Sequence, residues 1–220
     1  MTDELSKLKS RVQRLELLYQ VANVIHSTLD PQEALQLIVN EAVRLARASS
    51  GSVVLVNPTS GFLEIHASKN LPASARRLQL RPGEGLTGWV ARHGSPARVN
   101  DVSQDPRYVA LRRGVKSELA VPLEVHGETR GVLNVDSDRL GAFSGEDQEL
   151  LLELAGQAAK VIQNTWLYEQ SRLKAHLLES LAGVSGVINS TLNLDDALNV
   201  IAREACELMS ARMCSLMLLD

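Results

Sequence analysis

Aromatic residues make up only 3% of this 220-residue chain, and cysteine occurs twice. With so few rings, aliphatic side chains must fill the core, and a hydrophobic fraction of 45% is enough for that. Cys206 and Cys214 lie near the C-terminal end. Two thiols make no disulfide framework and point to a reducing, cytoplasmic compartment. No run of about 18 apolar residues occurs, so no membrane insertion is expected. The formal net charge of −3 gives no global reason to expect nucleic acid as a partner. The N-terminus, MTDELSKLKSRVQRLELL, lacks the apolar centre of a signal peptide. His26, His66, His93, His126 and His176 show no metal-ligand spacing, so no metal is expected. A haem needs only one axial histidine, and that cofactor stays open.

What is present begins with a repeat. Ser27-Thr28-Leu29-Asp30 is echoed by Ser190-Thr191-Leu192-Asn193, an offset of 163 residues from 27 to 190. At that offset Ala34, Leu35, Ile38, Glu41, Ala42, Leu45, Ala48 and Ser52 meet identical residues between Ala197 and Ser215. Identities on both polar and apolar positions exceed what two unrelated amphipathic helices share. The repeat implies a domain over 27–165, a helical linker over 166–189 and the truncated start of a second copy over 190–220. Asp220 falls opposite Asn57, just past the first strand, so the chain reads as a piece of a longer protein.

Leu5, Leu8, Val12, Leu15, Tyr19, Ala22 and His26 recur three and four apart, a coiled-coil-like helix over 1–26. Asp30 as N-cap and Pro31 in the first turn start a second helix, which runs through Leu45 toward Gly51. Residues 52–57 and 62–68 read as one hairpin, and 117–124 and 129–136 as another around His126-Gly127-Glu128. Between them, 71–111 reads as mostly irregular, with a short helix over 86–92. Ser144, with Asp147 three residues on, forms a capping box for a helix that runs to Ser190. This order of elements is α+β with an antiparallel sheet.

Six blocks follow one another in the chain: Gly83-Glu84-Gly85-Leu86-Thr87-Gly88-Trp89-Val90, Asn100-Asp101-Val102, Asp105-Pro106-Arg107-Tyr108, SELAVPL over 117–123, GVLNV over 131–135 and Phe143-Ser144-Gly145-Glu146-Asp147. On these residues the chain resembles the GAF domain family over roughly 15–170, and again from about 178. The resemblance implies a central six-stranded antiparallel sheet. Terminal helices would lie on one face, with pocket loops and short helices on the other. It implies a small-molecule site drawn from Trp89, Val99, Asp101, Tyr108, Arg112, Ser117, Glu118 and Asn134. It also implies a signal-input role in a bacterial protein, ahead of a kinase, cyclase, phosphatase or transcription-activator module.

Gly83–Gly88 matches G-x-G-x-x-G, but Arg81-Pro82 stands where a dinucleotide fold needs a strand, so a glycine-assisted turn into a helix is the reading. Nine basic residues face three carboxylates between Arg76 and Lys116. Either Arg107, Arg112 or Arg113 holds an anionic ligand there, or the segment is a solvated surface. The cyclic-nucleotide motif of some family members is broken at Asp136-Ser137 and Gln148. Bilin-binding and methionine-sulfoxide-reducing members need cysteines, and none precedes Cys206. No nucleophile elbow is present, no catalytic residues are identified, and the chain is expected not to be an enzyme. Cys206 and Cys214 are expected to be buried, inert thiols.

The stripe Leu150, Leu154, Ala158, Val161, Ile162, Thr165, Tyr168 either covers the sheet or meets a second chain. The expected homodimer interface is Leu8, Val12, Leu15, Leu154, Ala158 and Ile162, in a four-helix bundle. The expected function is a module that binds a small molecule, dimerises and relays the signal through its terminal helices. The alternative is a structural dimerisation spacer with no bound ligand.

Overall fold

The computed structural model describes residues 30–77, 80–190, 194–208 and 211–217. Asp30 accepts a hydrogen bond from Gln32 N at 2.9 Å, and Pro31 follows at the first helical position, so α1 (Pro31–Leu45) starts where its orphan N–H groups are answered. Then come β1 (Ser50–Val56), β2 (Leu63–Lys69), a 3₁₀ turn (Ala73–Arg77), α2 (Gly85–His93), β3 (Ala97–Val99) and a second 3₁₀ turn (Val102–Gln104). β4 (Ser117–Val125), β5 (Glu128–Ser137), α3 (Gly145–Ser190) and α4 (Leu194–Leu208) complete the order. The coiled-coil-like helix expected over 1–26, with Leu8, Val12 and Leu15, lies outside the described residues.

The strands form one antiparallel sheet in the order β2-β1-β5-β4-β3. Among the described residues it has five strands, which corrects the expectation of six. Among the described residues, Leu80 contributes only a single bridge to Leu63, with Leu63 N donating to Leu80 O at 2.8 Å. Pro82 follows two residues on and has no N–H with which to extend a ladder. β3 lies inside the stretch read as irregular, since three residues are too few for a period of two to show. β4 and β5 are joined at His126 (φ 54°) and Gly127 (φ 79°), the pair of positive φ angles that matches strand twist in a two-residue turn. Gly131 is required by close approach: a Cβ there would stand 2.3 Å from the Val54 carbonyl oxygen across β1.

Strand alternation divides the side chains between two faces. Val53, Leu119, Val121, Leu123, Leu133 and Val135 pack against Ile38, Val39 and Ala42 of α1 and against Leu151, Leu154, Ala158 and Ile162 of α3. Each large aliphatic group buried there contributes about 2 kcal/mol. Leu154, Ala158 and Ile162 thus belong to the domain's own core, at 0%, 0% and 5% exposure. This corrects their assignment to a dimer interface, because their face of the helix is already used by the sheet. On the opposite face Val54, Ala120 and Val132 are covered by Val90, Ala91 and the partly buried Trp89 of α2. The polar half of that face is the site described below.

α3 is a 46-residue helix started by the expected capping box. Ser144 Oγ donates to Asp147 Oδ2 at 2.7 Å and accepts from Asp147 N at 3.2 Å. The chain divides into two compact units between Asn164 and Thr165. In the second unit, α4 has the bounds of α1 displaced by 163 residues. The bond from Ala211 N to Cys206 O, at 2.9 Å, repeats that from Ala48 N to Val43 O, also at 2.9 Å. Residues 211–217 form no strand, contrary to the expected first strand of a second copy. β1 is paired on both sides, by β2 and β5, whereas no strand partner for 211–217 occurs among the described residues. Among the described residues no helix is long and apolar enough to cross a membrane.

Candidate functional site

The sheet register puts a polar cluster in the middle of a folded domain. Ser50 pairs with Asp136, Ser52 with Asn134, and Glu118 with Asp136, so five polar side chains from three adjacent strands share one end of one face. All are buried. Ser52 Oγ donates to Asn134 Oδ1 at 2.5 Å, which turns the amide nitrogen toward Glu118. Asn134 Nδ2 and Thr87 Oγ1 each approach Glu118 Oε1 at only 3.5 Å. Burial, with the charge of Asp136 second, pushes the Glu118 carboxyl up to about 8. It is therefore held mainly in its protonated, neutral form near pH 7, with two long contacts to its Oε1.

The roof is the segment from Asp105 to Lys116. Arg112 reaches down from it to Asp136 Oδ1 at 2.5 Å, to Asp138 Oδ1 at 2.5 Å and to Ser50 Oγ at 3.0 Å. Ser50 in turn donates to Asp136 Oδ2 at 2.5 Å. Burial lowers the guanidinium's affinity for its proton, but the bonds to Asp136 and Asp138 outweigh this and hold it above its ordinary value. Tyr108 is half-buried beside the cluster, and burial together with Glu118 and Asp136 pushes its phenol up to about 12. Arg107 bonds both oxygens of Asp105, at 2.9 and 2.7 Å, and lies 4.6 Å from the centre of the Trp89 ring.

Between roof and sheet lies a cavity of about 20 Å³, on the scale of one ordered water. Of the residues expected at a ligand site, Tyr108, Arg112, Glu118 and Asn134 line it. The other four do not. Trp89 stacks on His93 at 4.5 Å, over the apolar half of the face. Val99 packs with Leu86 and Val102. Asp101 caps the second 3₁₀ turn, accepting from Ser103 N at 3.0 Å. Ser117 donates to Arg139 O at 2.8 Å from the helix side of β4. Thr87 and Asp136 also line the cavity and were missed. Asp136 had a legible signal, since it stands two residues past Asn134 in a strand and so shares its face. Of the arginines expected to hold an anion, Arg107 and Arg112 are engaged by carboxylates and Arg113 is exposed. His66, His93 and His126 do not line the cavity.

A family model described as GAF domain matches residues 28–163. The chain is 25% identical over 219 residues to the Nif-specific regulatory protein of Azospirillum brasilense, covering 90% of this chain and 35% of that protein. It thus spans about a third of the length of that relative. It is 32% identical over 88 residues to the free methionine-R-sulfoxide reductase of Escherichia coli (strain K12), covering 40% of this chain and 53% of that one. Among solved structures, the GAF domain from an Acinetobacter phosphoenolpyruvate-protein phosphotransferase superposes with a TM-score of 0.66 at 23% identity, covering 70% of this chain and 95% of that one. The reductase corrects the expectation that this chain is not an enzyme. Absent cysteines in the first domain speak to one reaction route, whereas this fold carries enzymes as well as regulators, and function resides in the site.

Proposed function

This chain belongs to the GAF domain family, and from that premise we propose that it is a signal-input module of a longer regulatory protein, with a small ligand bound under the Asp105–Lys116 roof. The likeness to a Nif-specific regulatory protein supports the regulatory role. The observation that carries the ligand reading is Glu118, a buried carboxyl kept neutral among convergent polar groups. Folding gains nothing from such a group, and clusters of this kind mark binding sites.

The ligand class follows from what Arg112 already does. Its guanidinium fills the place where a donor-rich cationic group would meet Asp136 and Ser50. A small cationic or zwitterionic molecule enters by displacing that side chain and lifting the roof, which leaves the resting cavity small. Thermal melting at fixed ionic strength tests this with arginine, methionine sulfoxide, small amines and small carboxylates. The cationic and zwitterionic compounds are expected to raise the midpoint, and Asp136→Asn is expected to abolish the rise. Shifts with carboxylates only would refute the class. No shift with any compound would favour the second reading, a structural spacer, to which the small cavity gives support. The same protein is assayed for turnover of methionine sulfoxide, given the reductase among its relatives.

Dimerisation belongs to this proposal in revised form. Leu167 and Tyr168 on α3 are 53% and 73% exposed, and they replace the core residues as interface candidates. Sedimentation equilibrium is expected to show self-association that Leu167→Glu weakens. A monomer at all concentrations would remove the dimer from the proposal. We further read α4 as the first helix of a second GAF copy, supported by its matching bounds.

A further inference from the structure

The chain has only two thiols, and they are neighbours in space. Cys206 lies on α4 and is half-buried, while Cys214 lies in the segment after it and is exposed. The two side chains lie near enough for the Cys214 sulfur to help raise the Cys206 pKa. The expectation of buried, inert thiols is therefore not met for Cys214.

The proximity is not an accident of one loop. At the 163-residue offset, Cys206 and Cys214 correspond to Val43 and Gly51. In the first unit a Cβ on Gly51 would stand 2.9 Å from a methyl carbon of Val43. The same backbone bond closes both corners, from Ala48 N to Val43 O and from Ala211 N to Cys206 O. One chain thus builds twice a corner that brings these two positions together, and only the second copy carries sulfur at both. A disulfide needs Cβ atoms about 3.5–4.5 Å apart, so two cysteines at positions that meet in such a corner are candidates for one.

We propose that Cys206 and Cys214 are a reversible dithiol–disulfide site, oxidised by small-molecule disulfides such as oxidised glutathione. The exposed Cys214 thiolate attacks one sulfur of the small disulfide and releases its other half as a thiolate. The Cys206 thiol then gives up its proton and attacks Cys214 Sγ. The intramolecular S–S bond forms, the mixed disulfide breaks, and the second small thiol departs. Two protein thiols lose two electrons in all, and one small disulfide is reduced to two thiols. Cys206 suits the second step, because partial covering and the neighbouring Cys214 sulfur raise its pKa and make it the poorer first nucleophile. The bond ties the last turn of α4 to residues 211–217, so its state changes how freely that corner opens.

The test equilibrates the full chain in glutathione buffers of increasing oxidised fraction and quenches it with acid. Free thiols and glutathione adducts are then counted by mass. The wild type is expected to pass from two free thiols to none, with fewer than about a tenth of chains carrying glutathione. A neighbouring thiol at millimolar or higher effective concentration resolves the adduct first. Cys206→Ser and Cys214→Ser are each expected to hold one glutathione per chain in the same buffers. Dithiothreitol is expected to restore both wild-type thiols. Wild-type chains that keep two glutathiones, or that cross-link to one another as readily as the single variants, overturn the proposal. So do wild-type thiols that stay free in buffers that load the variants.

Discussion

On substitution of Glu118 by glutamine, the first domain is expected to become more stable by about 3 kcal/mol near neutral pH. The native carboxyl holds its proton to about 8, because burial and then Asp136 penalise its charge, and its contacts from Asn134 and Thr87 are too long to compensate. Once unfolded it loses that proton near the ordinary 4.5. Between those values the native state binds a proton that the unfolded state does not. Stability therefore falls by about 1.4 kcal/mol per unit as pH rises through the window. Below the window the loss is absent, and above about pH 8 it is complete. Glutamine has no proton to lose and nearly the same shape. Urea unfolding of the two proteins at several pH values is expected to give stabilities that agree near pH 4.5 and diverge up to about pH 8. A Glu118→Gln protein less stable than wild type at neutral pH, or a gap independent of pH, would refute the neutral buried carboxyl. The gain would also measure how much stability this site gives up to keep an acid under the roof.

Replacing Arg112 by alanine is expected to cost about 3 kcal/mol and to lower the melting midpoint by about 10 °C. Arg112 and Asp136 are 17% and 7% exposed, so removing the cation leaves an almost fully buried carboxylate beside Glu118 without its counter-charge. That loss exceeds the worth of the pair itself, since a buried pair roughly offsets its own desolvation. Adding Asp136→Asn to Arg112→Ala is therefore expected to recover most of the stability. Millimolar methylguanidinium is expected to raise the melting midpoint of Arg112→Ala by more than that of the wild type, because the vacated place accepts the same group without displacing a side chain. A loss below about 0.5 kcal/mol for Arg112→Ala would mean that the roof is not held by this contact.

Much of the fold was legible because it depends on neighbours. The turn at His126-Gly127 and the box at Ser144 and Asp147 are set within three or four residues. The alternation in SELAVPLE sorts Leu119, Val121 and Leu123 to one face whatever lies opposite. The stripe at Leu154, Ala158 and Ile162 was legible as apolar but not as core, since a periodic stripe looks the same against a sheet or a second chain. The count of strands failed for a related reason. β3 is too short to carry a period, and Leu80 gives one bridge before Pro82 ends the ladder. Whether the family member at hand is an enzyme was not a matter of missing cysteines alone, as the similarity to a reductase shows.

The site was half legible. Tyr108, Arg112, Glu118 and Asn134 were within reach, but the basic run around them read as free positive charge. Arg107 is neutralised by Asp105 two residues away, and Arg112 by Asp136 and Asp138 on another strand. By itself the sequence determined the helix starts, the hairpins, the family and the 163-residue repeat, all of which rest on local periods, caps and ordered motifs. Only the tertiary structure decided that the site is acidic beneath an engaged arginine and that Cys206 and Cys214 are neighbours across one corner. Both depend on register and chain return, which bring together groups that no local pattern relates.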